Sequence, residues 1–135
     1  MMFKATNIYT TEHLNEAANE VQSFLEAEFN ADVSAACVQR AEQLAGYMAL
    51  TGKMLADAKY HYNQLLNSEI IKALKDQDKM TASTLNNYIK GMCKDYQYLV
   101  DWIDRINATC THQIDLMRSL ISKHKEELKL SGWQK

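Results

Sequence analysis

The chain has 135 residues, enough to bury a core of its own, and is most simply one domain. It has no proline and only four glycines, which argues against a loop-rich or sandwich fold, because turns between strands draw heavily on both. Fifteen basic and 17 acidic side chains leave a net charge of −2, and no apolar run approaches the about 18 residues of a membrane span, so no membrane partner is expected.

The opening residues show no signal-peptide pattern. Cys37, Cys93 and Cys110 are an odd count without paired spacing, and read as reduced thiols serving as small core residues of a cytoplasmic protein. The sequon Asn107-Ala108-Thr109 is discounted for the same lack of a secretory signal. Charge is uneven along the chain: residues 1–45 carry −5, residues 59–94 carry +3 and residues 118–135 carry +3. Such blocks suggest internal complementarity first and a partner surface second.

Residues 1–10 lack periodicity and read as an arm. A first helix is expected over 11–29, capped by Thr10 or Thr11, with Glu12 and Glu16 where the helix dipole favours anions. Leu14, Ala17, Val21 and Phe24 form its stripe, and Asn30 suits a left-handed residue at its end.

A second helix is expected over 33–77, capped by Asp32 or Ser34, with a stripe of Cys37, Ala41, Leu44, Met48, Leu55, Tyr62, Leu66, Ile70 and Leu74. The stripe skips from Met48 to Leu55 around Thr51-Gly52, in a cluster of small residues. Two mid-helix glycines, Gly46 and Gly52, would each cost about 1 kcal/mol against alanine, so close approach of a neighbouring helix is expected to compensate, with a local bend as the alternative.

The break is placed at Asp76-Gln77-Asp78-Lys79, after which Thr81 caps a third helix over 82–130 and Met80 staples onto Leu85. That helix carries Leu85, Ile89, Met92, Tyr96, Leu99, Ile103, Ile106, Cys110, Gln113, Met117, Leu120 and His124 in alternating steps of four and three. The steps average about 3.5 residues, the mark of a helix laid along another helix. A short connection makes the two long helices antiparallel. Folding near Lys79 then sets Leu74 against Leu85, Ile70 against Ile89, Leu66 against Met92, Tyr62 against Tyr96 and Leu55 against Ile103.

The expected fold is therefore all-α: a long antiparallel, coiled-coil-like hairpin, with the shorter first helix completing a three-helix bundle at one end. Ile114, Ile121 and Leu128 widen the apolar face there, and acidic helix one should lie near Lys123, Lys125 and Lys129. The other end is a two-helix projection that cannot bury its aromatics alone. Tyr60, Tyr98 and Trp102 are expected to form a homodimer seam.

Chemistry is thinly represented. Cys110 and His112 point about 200° apart and cannot share an ion, while Cys37 and His124 would need two further ligands. No glycine-rich phosphate loop, nucleophile elbow or paired-cysteine motif is present, so no cofactor, metal or catalytic residue is expected. Lys59, Lys72, Lys75, Lys79, Lys90 and Lys94, interleaved with tyrosines, could track a nucleic acid, or be the solvated face of a buried tyrosine seam. His112, Asp115, Ser119 and Ser122 recur at three and four along one flank, either as a hydrogen-bonded layer against helix one or as a docking face for a partner.

Leu55-Ala56-Asp57-Ala58-Lys59-Tyr60, followed by Arg105-Ile106-Asn107-Ala108-Thr109-Cys110-Thr111-His112-Gln113-Ile114-Asp115-Leu116-Met117-Arg118-Ser119-Leu120-Ile121-Ser122 and a Lys-Glu-Glu run, resembles small all-helical proteins of phage and prophage genomes. The resemblance spans about residues 44–131, and the first helix is peculiar to this chain. It implies a phage-derived cytoplasmic protein encoded among replication and recombination genes, and no catalytic residues. The reading that follows is a non-enzymatic, oligomeric helical interaction protein, an accessory to phage DNA metabolism. The alternatives are direct nucleic-acid binding through residues 59–94, or a phage structural or packaging component.

Overall fold

The computed structural model describes residues 7–75 and 81–133. Within them the chain forms α1 (Thr11–Glu26), α2 (Ser34–Lys75) and α3 (Ala82–Trp133), with no strand among the described residues. At 1.5 Å per residue, the 42 residues of α2 span about 63 Å and the 52 of α3 about 78 Å. These two pack along each other, and α1 lies against both. The break at Asp76–Lys79 and the staple at Met80 fall outside the described residues.

The antiparallel register follows the ladder read from the sequence. Ser34 meets His124 and Thr51 meets Asn107, both in step with Leu55 opposite Ile103. Because α3 is longer, its last turns run on past the start of α2. There Leu128 and Leu130 are exposed, so Leu128 does not join the core. Lys123 and Lys129 pair with Glu127 and Glu126 of α3 itself, and no ion pair joins α1 to α3 among the described residues.

The caps explain where α1 begins and ends. The Thr10 hydroxyl accepts from the His13 N–H (3.1 Å), as expected of a capping threonine. The end comes earlier than 29 and without a left-handed residue: Ala27 is extended, and its N–H returns to the Phe24 carbonyl. Ahead of α2, Asn30 turns the chain through its side-chain oxygen, which accepts from the Asp32 N–H. Ser34 is the first residue of α2, and its hydroxyl goes to His124 rather than to a cap. Thr81 caps α3, accepting from the Thr84 N–H.

The core sits where α1 covers the hairpin. Leu14, Ala18 and Val21 of α1 are fully buried with Leu44 and Met54 of α2 and Ile103, Cys110 and Met117 of α3. Burial of each large aliphatic side chain is worth about 1.5–3 kcal/mol. The gap between Met48 and Leu55 is filled by Thr51 itself, which is fully buried while Met48 is 37% exposed. The threonine hydroxyl donates to the Tyr47 carbonyl (2.8 Å) and accepts from Asn107 (2.8 Å), so a polar residue occupies the seam with its hydrogen bonds made. No helix approaches the glycines closely: a Cβ at Gly46 or Gly52 would meet nothing within 4 Å. Their expected compensation through packing is absent.

Toward the tip the seam departs from the expected row. Glu69, Ala73 and Cys93 are buried, whereas Ile70, Leu74 and Met92, expected inside, are exposed. A row of residues four apart drifts about 40° per step around a helix, so the 62-66-70-74 row starts between the helices and leaves the seam before the tip.

Candidate functional site

His112, Asp115, Ser119 and Ser122 are all exposed on the outer side of α3. Asp115 pairs with Arg118 (3.6 Å), and among the described residues none of the four is hydrogen-bonded to α1, so they build no hydrogen-bonded layer against it. That layer is built by Arg40 and Gln113 instead. The Arg40 guanidinium lies between the rings of Phe24 and Phe29, 4.5 and 4.6 Å from their centroids. It donates to the carbonyls of Phe24 (3.1 Å) and Leu25 (3.3 Å) and to the Gln113 side chain (2.9 Å), which itself donates to Leu25 O (3.1 Å).

Arg40 thus serves as the C-cap of α1, a cation on carbonyls at the negative end of the helix dipole. Burial lowers its pKa, and its Nε has no partner. From the sequence Gln113 was only a polar interruption of the stripe and Arg40 an ordinary basic residue. The one available sign was that Arg40 falls one turn from Cys37 and from Leu44, on the core side of α2.

The arm is held by a second polar group. Lys53, Asp57 and His61, one helical turn apart on α2, grip its backbone. Asp57 accepts from the Tyr9 N–H (3.0 Å), Lys53 donates to the Asn7 carbonyl (2.8 Å), and His61 Nε2 donates to the Tyr9 carbonyl (2.7 Å). A carbonyl can only accept, so Nε2 carries the proton. His61 is therefore part of the docking of an extended segment, a role its neighbours Tyr60 and Tyr62 gave no hint of.

The three seam aromatics are not brought together. Trp102 belongs to the three-helix half, where its Nε1 donates to Gln22 of α1 (3.1 Å). Tyr60 lies two residues from buried Ala58, about 200° around α2, and so faces away from α3. Tyr98 stands 70% exposed on α3, its ring tilted against that of Trp102 with 6.4 Å between centroids, so two of the three are neighbours and Tyr60 is not.

Among the lysines, Lys72 reaches Glu69 (3.4 Å) and Lys75 ends α2, while Lys79 lies outside the described residues. Lys90 and Lys94 line a groove of about 500 Å³ with Tyr62, Cys93, Gln97, Tyr98 and Asp101. Lys59 is exposed one turn before Tyr62. Glu69 is only 2% exposed, and its second carboxylate oxygen has no partner among the described residues.

The thiols are all buried and free. Burial pushes up the pKa of Cys93, helped by the Glu69 carboxylate, and burial also raises that of Cys110. Cys37 donates to the Ala31 carbonyl (3.5 Å), while His124 is engaged by Ser34. Among the described residues no group of three or more His, Cys, Asp or Glu could hold an ion. No helix of the described residues is long and apolar enough to cross a membrane. No protein-family model matches the chain, and neither a curated protein nor a solved structure matches it.

Proposed function

We propose that this is a non-enzymatic helical interaction protein whose hairpin tip receives a partner. The observation that carries the reading is a difference in exposure. Ile70, Ile71 and Leu74 of α2 and Tyr88 and Met92 of α3 stand 40–61% exposed on the stretch that α1 does not cover. On the stretch that α1 covers, Leu44, Met54, Ile103 and Met117 are fully buried, while Val38, Met48 and Leu116 stand 37–49% exposed on its outer side. Large apolar groups concentrated on an uncovered element are the usual mark of an interaction surface. The raised pKa values of Cys93 and Cys110 also support a non-catalytic reading, since a thiol must ionise to act as a nucleophile.

Pairing of two copies through Tyr60, Tyr98 and Trp102 loses its support, because Trp102 is taken by α1 and Tyr60 faces elsewhere. The partner in this reading is a different protein. The cytoplasmic setting and the accessory role in phage DNA metabolism belong to the proposal through the sequence resemblance alone.

Light scattering, with and without a short DNA, tests it. The expected result is the mass of a single chain, unmoved by DNA. Exposed Lys59, Lys90 and Lys94 favour a second reading, direct nucleic-acid binding. A species that gains mass with DNA at low salt and loses it as salt rises would replace the first reading with that one.

A further inference from the structure

The tip carries a groove that no described element of the chain fills, and its chemistry specifies an occupant. α2 contributes Tyr62 to its lining, and from there the α2 row Leu66, Ile70 and Leu74 runs on toward the tip, passing from half-buried at Tyr62 and Leu66 to 61% exposed at Leu74. On α3, Lys90, Cys93, Lys94, Gln97, Tyr98 and Asp101 meet Tyr62 around the space of about 500 Å³. An exposed aliphatic row thus runs on from a groove whose lining carries two lysines against one aspartate. Lys90 and Lys94 line it from α3, and Lys59 of α2 lies one turn before Tyr62; all three are exposed and none is in an ion pair among the described residues. From Tyr62 to Leu74 the row covers about 18 Å, room for roughly three turns of helix.

We infer that this groove docks an acidic amphipathic helix of a partner protein, supplying at the tip the third helix that α1 supplies in the other half. The inference rests on the tip-docking function above and names the chemistry of the partner. The chain holds its own precedent. α1 is a 16-residue helix that buries Leu14, Val21 and Leu25 and keeps Glu12, Glu16 and Glu20 exposed. A helix of that pattern would lay its apolar anchors on Leu66 and Ile70 and bring its carboxylates toward Lys90 and Lys94.

A second copy fits less well, since it would bring a surface carrying Lys90 and Lys94 against one of the same charge. A nucleic-acid strand is disfavoured by the exposed aliphatic row of Ile70 and Leu74, which offers no ring for a base to stack on.

The experiment is an NMR titration of the full-length, isotope-labelled chain. The probe is a capped synthetic peptide of residues 11–26, used as a model acidic amphipathic helix. Shift changes are expected at Leu66, Ile70, Cys93, Lys94 and Gln97. Ile70→Glu and, separately, the Lys90→Glu/Lys94→Glu double variant should each weaken binding about tenfold or more, with the α1 resonances unchanged. A peptide carrying Glu12→Gln, Glu16→Gln and Glu20→Gln should bind severalfold more weakly.

Changes confined to Leu44, Ile106 and Met117 would show the peptide replacing α1 and would overturn the inference. Tip shifts that grow with protein concentration alone would make a second copy the occupant, overturning the inference while leaving tip docking in place. Tip shifts with oligothymidylate and none with peptide would overturn both. So would a tip silent to every probe.

Discussion

The two halves of the hairpin are built from the same kinds of side chain, yet they end differently. In the half covered by α1, Leu14, Leu44, Met54, Ile103 and Met117 are fully buried, and even the polar insertions Thr51, Arg40 and Gln113 find partners. In the tip half a single seam between two helices closes over Glu69, Ala73 and Cys93 and leaves Ile70, Leu74, Tyr88 and Met92 outside. Two helices share one stripe each, whereas a third helix lets each bury a wider arc. The difference teaches that the same amphipathic pattern becomes core or surface according to what lies over it.

The sharpest test of the contrast truncates one leucine in each half. Leu44→Ala should lower stability by about 2–5 kcal/mol, the range for fully buried leucines. Leu74→Ala, at a 61% exposed site, should change it by no more than about 0.5 kcal/mol. Urea unfolding measures both, and equal losses would mean that the tip is covered in solution by something else.

Next in size is the C-cap of α1. Arg40→Met keeps much of the packing between Phe24 and Phe29 but removes the hydrogen bonds to Phe24 O, Leu25 O and Gln113. A loss of about 1.5–3 kcal/mol is expected, with faster amide exchange confined to the end of α1. Uniform loss of protection along all three helices would contradict the capping role.

Smaller and opposite in sign are the glycines. Gly46→Ala and Gly52→Ala place a methyl group in open space on a helix and should each stabilise by about 0.5–1 kcal/mol in thermal unfolding. A destabilised variant would reveal a neighbour at that face.

The smallest effect is the pH dependence of the buried thiols. Their pKa values are raised in the folded state, so the unfolded chain loses these protons first as pH rises. The stability they contribute is therefore constant below the ordinary thiol value of 9.0 and declines above it. The Cys93→Ala/Cys110→Ala variant, whatever its absolute stability, should show a flatter decline than the parent between neutral and alkaline pH. Identical slopes would mean that the thiols ionise in the folded protein as they do in the unfolded one.

The candidate surfaces were legible to different degrees. The lysines were visible as a composition block, and Lys90 and Lys94 do share a groove. The tip's aromatics and aliphatics were visible too, but the reading placed Trp102 with them, and α1 holds it through Gln22. Helical spacing gives a residue's side of its own helix and says nothing of which neighbour arrives there. Likewise the clamp of Lys53, Asp57 and His61 on the arm needed the arm's path, which no periodicity in residues 1–10 records.

By itself the sequence determined three helices, the threonine caps at Thr10 and Thr81, the antiparallel sense and the register that pairs Ser34 with His124. These follow from short-range rules: a hydroxyl beside free N–H groups, a repeat near 3.5 residues, a brief connection. Tertiary structure alone decided that Thr51, Arg40 and Glu69 go inside while Met48, Ile70 and Leu74 stay out. On these helices neighbouring rows of residues lie only 40–100° apart, close enough to compete for one seam. The choice between them depends on where α1 lies and on hydrogen bonds made across helices, as Thr51 makes with Asn107 and Arg40 with Gln113. Hydrophobic spacing carries no record of either.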